Sequence, residues 1–303
     1  MIAIRHILCP VDLSDASLRA LKHASALARW YESSLTALFV ETTIPNTDDA
    51  EFEDFAVAPA AVKEATCSSR AVRDVRTFVD RASCGTNVDV VVEESTHIDT
   101  AILESARRLP ADLIVMGTHG RVGVPRLLLG SVAERVLRSS PCPVMVVPPH
   151  DTVPPSTVSF RHIVCAIDFS ASSLAGLSWG LSLAEEADAH LSLLHVIEVP
   201  PELRVSTVVT DTNLDELRAT FEAETLARLR ALVPAHAAEF CSVETATAAG
   251  AAGHAILRFA SEWKADLIVM GAQGHGPLER WIFGSKTRDV VSGATCPVLT
   301  VRR

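Results

Sequence analysis

Short runs of apolar residues alternate along the chain with longer segments whose apolar residues recur at helical spacing. The short runs are rich in Val, Ile and Leu, which predicts β-strands, whereas the apolar residues within 18–27 keep the spacing of one helix face. Strands that alternate with helices are typical of a parallel sheet wound by crossover helices. We expect strands near residues 5–12, 34–41, 87–94, 111–117 and 143–148, and again near 161–168, 190–198, 240–247, 265–271 and 297–302.

The predicted helices of the first half lie after Ser14, after the acidic loop 41–58, near Thr96 and after Gly130. Ser14 and its counterpart Ser170 are suitable N-cap residues, because a serine hydroxyl accepts a hydrogen bond from the free N–H groups of the first turn. The first helix of each half is therefore expected to begin directly after its serine.

The second half of the chain repeats the first. Residues 161–170 (RHIVCAIDFS) repeat residues 5–14 (RHILCPVDLS), and residues 265–271 are identical to residues 111–117 (ADLIVMG). The Ile-Val-Met core of the second segment is apolar on both faces, as expected of a central parallel strand that is covered by helices on both sides. The motifs occur in the same order and with nearly the same spacing, which indicates a duplicated domain.

At 303 residues the chain exceeds the usual size of one hydrophobic core. We predict an α/β protein of two tandem, doubly wound domains, each with a five-stranded parallel sheet of strand order 3-2-1-4-5. The domains are expected at residues 1–148 and 160–303. The segment 149–159 between them is rich in proline and polar residues and is interpreted as a linker.

Composition excludes several classes of function. The formal charge is −10 at pH 7 and no long basic run occurs, which argues against nucleic acid or an anionic membrane as partner. No apolar stretch reaches the roughly 20 residues of a membrane helix and no signal-peptide pattern opens the chain, so a cytoplasmic location is expected. The seven cysteines form no Cys-x-x-Cys motif, so they predict neither a disulfide framework nor a zinc site and are interpreted as mostly buried apolar residues.

A glycine pattern follows the fourth predicted strand of each half. Gly-x2-Gly-x9-Gly-Ser begins at Gly117 and again at Gly271. Glycines permit close approach of the backbone, and the second Gly-Ser opens a helix whose free N–H groups and dipole favour phosphate. Strands one and four are neighbours in the predicted sheet, and ligands bind at their carboxyl ends. Because Asp12 and Asp168 end the first strand of each half, a carboxylate and a glycine loop should face one crevice in each domain.

Together these motifs resemble the ATP-binding subgroup of the universal stress protein family, over nearly the whole chain and twice. The resemblance implies the adenine nucleotide alpha hydrolase-like fold and binding of ATP, or another adenine nucleotide, with Mg²⁺. By position, it implies adenine contacts at Pro10, Val11, Asp12, Val40 and Met116, and phosphate contacts at Gly117, His119, Gly120, Gly130, Ser131 and Val132. In the second half it implies contacts at Ala166, Ile167, Asp168, Val196, Met270, Gly271, Gln273, Gly274, Gly284, Ser285 and Lys286.

The second half departs from the first within this motif. Gln273, Ala166 and Lys286-Thr287 replace His119, Pro10 and Val132-Ala133. These changes could tune or weaken the second site, or Lys286 could add a cation for phosphate. We expect both sites to bind.

Several residues keep a structural interpretation beside the functional one. Asp12 and Asp168 could cap a helix N-terminus instead of contacting a ligand, and His119 could be a solvated loop residue. His6 and His162 are interpreted as structural. Cys142 and Cys296 precede a proline at the entry to the last strand, where core packing is favoured over redox sensing.

The expected function is a regulatory role in the stress response through nucleotide binding, with slow hydrolysis or none, because no catalytic triad or general base can be assembled. A nucleotide-independent dimerising scaffold of the same family is the alternative. An enzyme of the wider superfamily would need an acceptor pocket with no visible signature. A phosphorylated receiver domain would need an aspartate where Val92-Glu93-Glu94 stand.

The resemblance also implies that the two domains pair edge to edge through their last strands, at 144–147 and 298–301. These segments are apolar, and an unpaired apolar edge invites aggregation. One chain is therefore expected to form an intramolecular pseudo-dimer. Whether two chains associate further into a homodimer is left open.

Overall fold

Ten strands and eight helices are formed within the part of the chain that the computed structural model describes, which comprises residues 2–42, 69–83, 85–118, 129–149, 159–198, 211–235, 237, 240–273 and 284–302. The strands are β1 (His6–Val11), β2 (Ser34–Thr42), β3 (Val88–Ser95), β4 (Leu113–Gly117), β5 (Val144–Val147), β6 (His162–Ala166), β7 (His190–Ile197), β8 (Ser242–Ala249), β9 (Leu267–Gly271) and β10 (Val298–Val301). The helices are α1 (Asp15–Trp30), α2 (Ser69–Asp80), α3 (Ile98–Arg108), α4 (Ser131–Ser139), α5 (Ala171–Ala187), α6 (Asp211–Ala231), α7 (Ala252–Glu262) and α8 (Ser285–Gly293).

All ten strands join one sheet in the order β3-β2-β1-β4-β5-β10-β9-β6-β7-β8. Within each half the neighbouring strands are parallel and follow the order 3-2-1-4-5, so the predicted fold class is confirmed. The halves meet where β5 and β10 pair antiparallel, with Val146 opposite Val298 and Val144 opposite Thr300. No strand boundary differs from its predicted position by more than two residues.

Successive strand residues alternate between the two faces of the sheet, and each face carries one apolar core. Ile7 and Cys9 of β1 point into the core that α1 and α5 cover, whereas Leu8 points into the core on the other face. Each of the two cores contains residues from both halves, such as Ile163 in the first and Val164 in the second. Both sheet faces are therefore covered continuously across the seam between β5 and β10.

Phe160, which lies two residues before β6, fastens the second half onto the first helix. Its ring is fully buried, packs edge-on against Trp30 at a centroid distance of 5.6 Å and stacks on His23 at 6.2 Å. Both partners belong to α1 of the first half. On the same face, the hydroxyl groups of Tyr31, which directly follows α1, and Ser182 of α5 lie 3.3 Å apart. The two halves thus share side-chain packing as well as a strand pair.

Ser14 and Ser170 are the N-caps of α1 and α5, which confirms both predictions. The Ser14 hydroxyl oxygen accepts from the N–H of Ser17 at 3.2 Å, and that of Ser170 accepts from the N–H of Ser173 at 3.2 Å. Each cap satisfies one of the four N–H groups that the first turn of a helix leaves without an intrahelical partner.

Substituting Ser14→Ala is expected to lower the free energy of unfolding by about 1 kcal/mol, because alanine cannot accept the hydrogen bond from Ser17. Urea denaturation followed by circular dichroism measures this change. Ser178→Ala is the matched control, since Ser178 is exposed within α5 and alanine is the better helix former. An equal loss in both variants would show that the cap contributes no specific stability.

Candidate functional site

A cavity of about 680 Å³ lies at the carboxyl ends of β1, β2 and β4, and one of about 550 Å³ lies at the carboxyl ends of β6, β7 and β9. Both volumes are in the range of small-molecule sites. The two cavities occur where the winding of each half reverses, as the strand order predicts. Because β5 and β10 run antiparallel, the strands of the two halves point in opposite directions. The two cavities therefore lie at opposite strand ends of the ten-stranded sheet.

The structure brings the predicted site residues of each half together around these cavities. In the first cavity they are Pro10, Val11, Asp12, Val40, Met116, Gly117, Gly130, Ser131 and Val132. In the second they are Ala166, Ile167, Asp168, Val196, Met270, Gly271, Gln273, Gly284, Ser285 and Lys286. The predicted residues His119, Gly120 and Gly274 lie outside the described residues.

Sequence reasoning missed part of each lining. The first cavity also contacts Ser17, Leu38, Phe39, Glu41, Thr42, Ile98, Ile102, Thr118 and Ala133, and the second also contacts Ser173, Leu194, His195, Glu198, Ala252, Ile256 and Thr287. The signal for some of them was present, because Ile102 and Ile256 occupy matching positions in α3 and α7. Glu198 gave no such signal, because its counterpart in the first half is the uncharged Thr42.

The strand-end aspartates are held by the turns that follow them. In the first half, one carboxylate oxygen of Asp12 accepts from the N–H of Ser14 at 3.1 Å and from its hydroxyl at 2.5 Å. In the second half, Asp168 accepts from the N–H of Ser170 at 2.9 Å. The carboxylates therefore orient the cap residues of α1 and α5 and, at the same time, line the cavities.

A strained residue follows each of these aspartates. Leu13 has φ 64° and Phe169 has φ 63°, in the left-handed region that residues other than glycine rarely adopt. The same conformation at the same position in both halves turns the chain sharply between strand and helix. Backbone strain of this kind costs of order 1–3 kcal/mol and is found most often at ligand sites. The strained turn therefore indicates that the position of the preceding aspartate matters for ligand binding.

A glycine occupies the N-cap position of the helix on the far side of each cavity. Gly130 and Gly284 precede α4 and α8 with φ −61° and ψ 144° or 140°, and glycine has no side chain with which to cap the first turn. The first N–H groups of α4 and α8 therefore remain for other acceptors, and the helix dipole makes an anion favourable there. The opposite wall of each cavity is apolar and includes Met116 or Met270, both almost fully buried.

Gly117 and Gly271 have a second role that the sequence motif did not reveal. A Cβ added to Gly117 would lie 3.2 Å from the backbone and Cβ of Ala16, and one added to Gly271 would lie 2.6 Å from the Ser172 hydroxyl oxygen and 2.7 Å from the N atom of Ser173. These glycines let the ends of β4 and β9 approach the first turns of α1 and α5. Packing therefore leaves no room for a side chain at Gly271 and little room for one at Gly117.

An ion pair crosses the second cavity. The Lys286 ammonium donates to Oε2 of Glu198 at 2.5 Å, and the N–H of Ala252 donates to Oε1 of the same carboxylate at 3.0 Å. Partial burial alone would raise the pKa of Glu198, but the hydrogen bonds from Lys286 and Ala252 and the ammonium charge lower that pKa on balance. Glu198 is therefore an anion at neutral pH.

The residues that were interpreted as structural make structural contacts. His6 Nε2 lies 2.9 Å from the Thr36 hydroxyl, and His162 Nδ1 lies 2.9 Å from the carbonyl oxygen of Trp263. Cys142 and Cys296 are buried, and burial raises the pKa of the Cys142 thiol to about 11. A thiol with so high a pKa is a poor nucleophile, in keeping with core packing.

No helix among the described residues is both long and apolar enough to span a bilayer.

Proteins with similar sequences or structures are known for this architecture. The model of the universal stress protein family matches residues 3–148 and again residues 159–302. A universal stress protein of Methanocaldococcus jannaschii is 34% identical over 47% of this chain and 81% of its own length, and one of Bacillus subtilis is 34% identical over 47% of this chain and 99% of its own length. A solved universal stress protein from Archaeoglobus fulgidus covers 98% of this chain and 96% of its own, at 22% identity and a TM-score of 0.61. This chain belongs to the universal stress protein family and contains two copies of its domain.

Proposed function

We propose that the chain binds ATP, or another adenine nucleotide, in both cavities. The observation that carries this proposal is that each cavity combines three surfaces that suit the three parts of a nucleotide. Each has an apolar wall, a fixed carboxylate and the glycine-capped N-terminus of a helix, and these lie around 550–680 Å³ of space.

The chemistry assigns one part of the ligand to each surface. The wall formed by Val40, Ile102 and Met116 suits a planar apolar base. The Asp12 carboxylate suits the hydroxyl groups of a ribose, because a carboxylate is a strong acceptor. The phosphates would lie against the N–H groups that follow Gly130.

Mg²⁺ is proposed to enter with the phosphates. Within the described part of the chain no three His, Cys, Asp or Glu side chains converge on one point. Mg²⁺ commonly keeps several waters and is bound through one or two carboxylates together with the phosphates of its ligand. The lining residues would therefore bind a nucleotide–Mg²⁺ complex and would not need a metal site of their own.

The proposed role is regulatory in the stress response, with slow hydrolysis or none. Among the described residues of the first cavity no Lys, Arg or His side chain is present to stabilise charge on a transferred phosphoryl group. In the second cavity Lys286 is paired with Glu198, and His195 Nδ1 lies 2.7 Å from the carbonyl oxygen of Ile167. Nucleotide binding itself would then be the function, and a partner protein would respond to whether the sites are occupied.

We also propose a cytoplasmic location and the domain limits 1–148 and 160–303.

The pairing of β5 with β10 supports a further part of the proposal. We propose that this chain contains, in one polypeptide, the pair of domains that would otherwise form as a dimer of two chains.

Calorimetric titration of the nucleotide-stripped protein with ATP and Mg²⁺ tests the proposal. We expect two equivalents per chain. Asp12→Asn keeps a side-chain oxygen that can accept from Ser14 but removes the charge offered to the ligand, and Asp168→Asn does the same in the second half. Each variant is expected to weaken one site by about 10- to 100-fold, the effect of a hydrogen bond to a charged group.

Asp74→Asn is the matched control, because Asp74 is exposed on α2, paired with Arg70 at 3.8 Å, and lines neither cavity. Its titration should match that of the unmodified protein. A folded protein that binds no nucleotide would overturn the proposal and favour the alternative of a nucleotide-independent scaffold.

A further inference from the structure

Among the described residues, an ion pair distinguishes the second cavity from the first at the end where phosphate would lie. In the second cavity the carboxylate of Glu198, which directly follows β7, bridges the ammonium of Lys286 at 2.5 Å and the N–H of Ala252 at 3.0 Å. Lys286 lies in the first turn of α8, two residues after Gly284, and Ala252 is the first residue of α7. A carboxylate of the protein thus uses donors at two helix N-termini.

The matching positions in the first cavity hold no such pair. Thr42 corresponds to Glu198 and Val132 corresponds to Lys286, and both line the first cavity. Neither side chain carries a charge. At these two positions the first cavity presents no carboxylate of the protein to an anion, although Glu41, one residue before Thr42, also lines that cavity.

An incoming phosphate at the first turn of α8 would lie beside donors that Glu198 already uses. The N-terminus of a helix and a lysine in its first turn are favourable surroundings for an anion. To contact the Lys286 ammonium, a phosphate has to displace the Glu198 carboxylate or accept its negative charge as a close neighbour. Each added phosphate increases that repulsion, because it adds charge at the same end of the ligand.

We infer that Glu198 is an internal competitor for the phosphate chain, so that the second site discriminates against nucleotides with long phosphate chains relative to the first site. This inference rests on the proposed nucleotide binding and concerns the preference of the second site. Displacement is feasible because both partners are about half exposed, at 57% for Lys286 and 44% for Glu198, and exposed ion pairs are weak. The preference is a matter of degree and does not close the site.

The test uses Asp12→Asn protein, in which the second site is the tight one, and titrates adenosine, AMP, ADP and ATP. Glu198→Thr installs the residue of the first half, and Glu198→Gln removes the charge with little change in size. Both are expected to raise ATP affinity by about 3- to 10-fold, to raise AMP affinity less, and to leave adenosine affinity unchanged.

Glu262→Gln is the matched control for charge. Glu262 is the last residue of α7, about 15 Å along the helix from Ala252, where it pairs with Arg258 at 4.0 Å. Glu262→Gln removes one carboxylate charge far from the N-terminus of α7 that Glu198 contacts, so the ranking of the four ligands should not change.

Lys286→Val separates competition from simple loss of a cation. With Glu198 present, Lys286→Val removes an ammonium that is already engaged but leaves the half-exposed Glu198 carboxylate without its cation, so ATP affinity is expected to fall by about 3-fold through that screened charge. In Glu198→Thr protein the same substitution should cost more than in the parent. The reciprocal exchange, Thr42→Glu with Val132→Lys in Asp168→Asn protein, should lower the ATP affinity of the first site and leave its adenosine affinity unchanged.

The possible outcomes are distinguishable. If both sites bind nucleotide but neither Glu198 variant changes the ratio of ATP to adenosine affinity, the inference is wrong and the proposed function stands. If no nucleotide binds to either site, both are wrong. Thermal unfolding of each variant beside the parent confirms that a change in affinity comes from a folded protein.

Discussion

Replacing Phe160 by alanine is expected to lower the free energy of unfolding by about 3–5 kcal/mol, the usual cost of truncating a buried phenylalanine. The ring is fully buried and contacts Trp30 and His23 of α1, so its loss leaves a cavity between the second half and the first helix. Urea denaturation followed by circular dichroism measures the loss.

Phe221→Ala is the control, because Phe221 lies on α6 with 55% of its surface exposed. Its free energy of unfolding should stay within about 0.5 kcal/mol of the parent. Hydrogen exchange adds a sharper readout, since Phe160→Ala should reduce the protection of amides in α1 although the substitution lies in the other half. Unchanged protection in α1 would contradict the shared core.

Replacing Gly271 by alanine is expected to destabilise the protein by about 1–3 kcal/mol through overpacking. The new Cβ would lie 2.7 Å from the N atom of Ser173, a backbone atom that the Ser170 cap fixes in the first turn of α5. Relief requires a movement of β9 or of the helix, because the contact includes backbone as well as the Ser172 hydroxyl.

Gly117 of the first motif and Gly284 of the second have more room for a side chain, so substitutions there should have smaller effects. At Gly117 the closest contact of an added Cβ is 3.2 Å, so Gly117→Ala should cost less than Gly271→Ala. At Gly284 the closest atom is the Thr287 hydroxyl oxygen at 3.5 Å, an ordinary contact, so Gly284→Ala should cost the least of the three, no more than the roughly 0.5–1 kcal/mol by which alanine is the poorer N-cap. Unfolding experiments that gave equal losses at all three positions would refute the packing argument.

Much of the fold could be predicted because it depends on local pattern and on repetition. Strands such as β4 and β9 are buried on both faces, so their sequences are short apolar runs with clear ends. The serine caps are local as well, because Ser14 contacts the N–H of a residue only three positions later. The strand order followed once these elements were assigned to a doubly wound sheet.

Contacts between distant residues could not be read in the same way. Glu198 meets Ala252 and Lys286 across separations of 54 and 88 residues, and no periodicity encodes such a meeting. Phe160 follows a segment that was interpreted as a linker, and its burial against α1 depends on how the two halves pack. The lack of room for a side chain at Gly271 likewise depends on the packing of β9 against α5, which the local sequence does not encode.

The antiparallel seam between β5 and β10 has a consequence for heredity. When two identical chains form such a seam, every mutation appears at both sites at once, and the sites cannot diverge. Here each side of the seam is encoded by its own stretch of a single gene. The first half can therefore keep Thr42 and Val132 while Glu198 and Lys286 evolve at the matching positions of the second half. The two paired domains can then acquire different binding sites and still be inherited together.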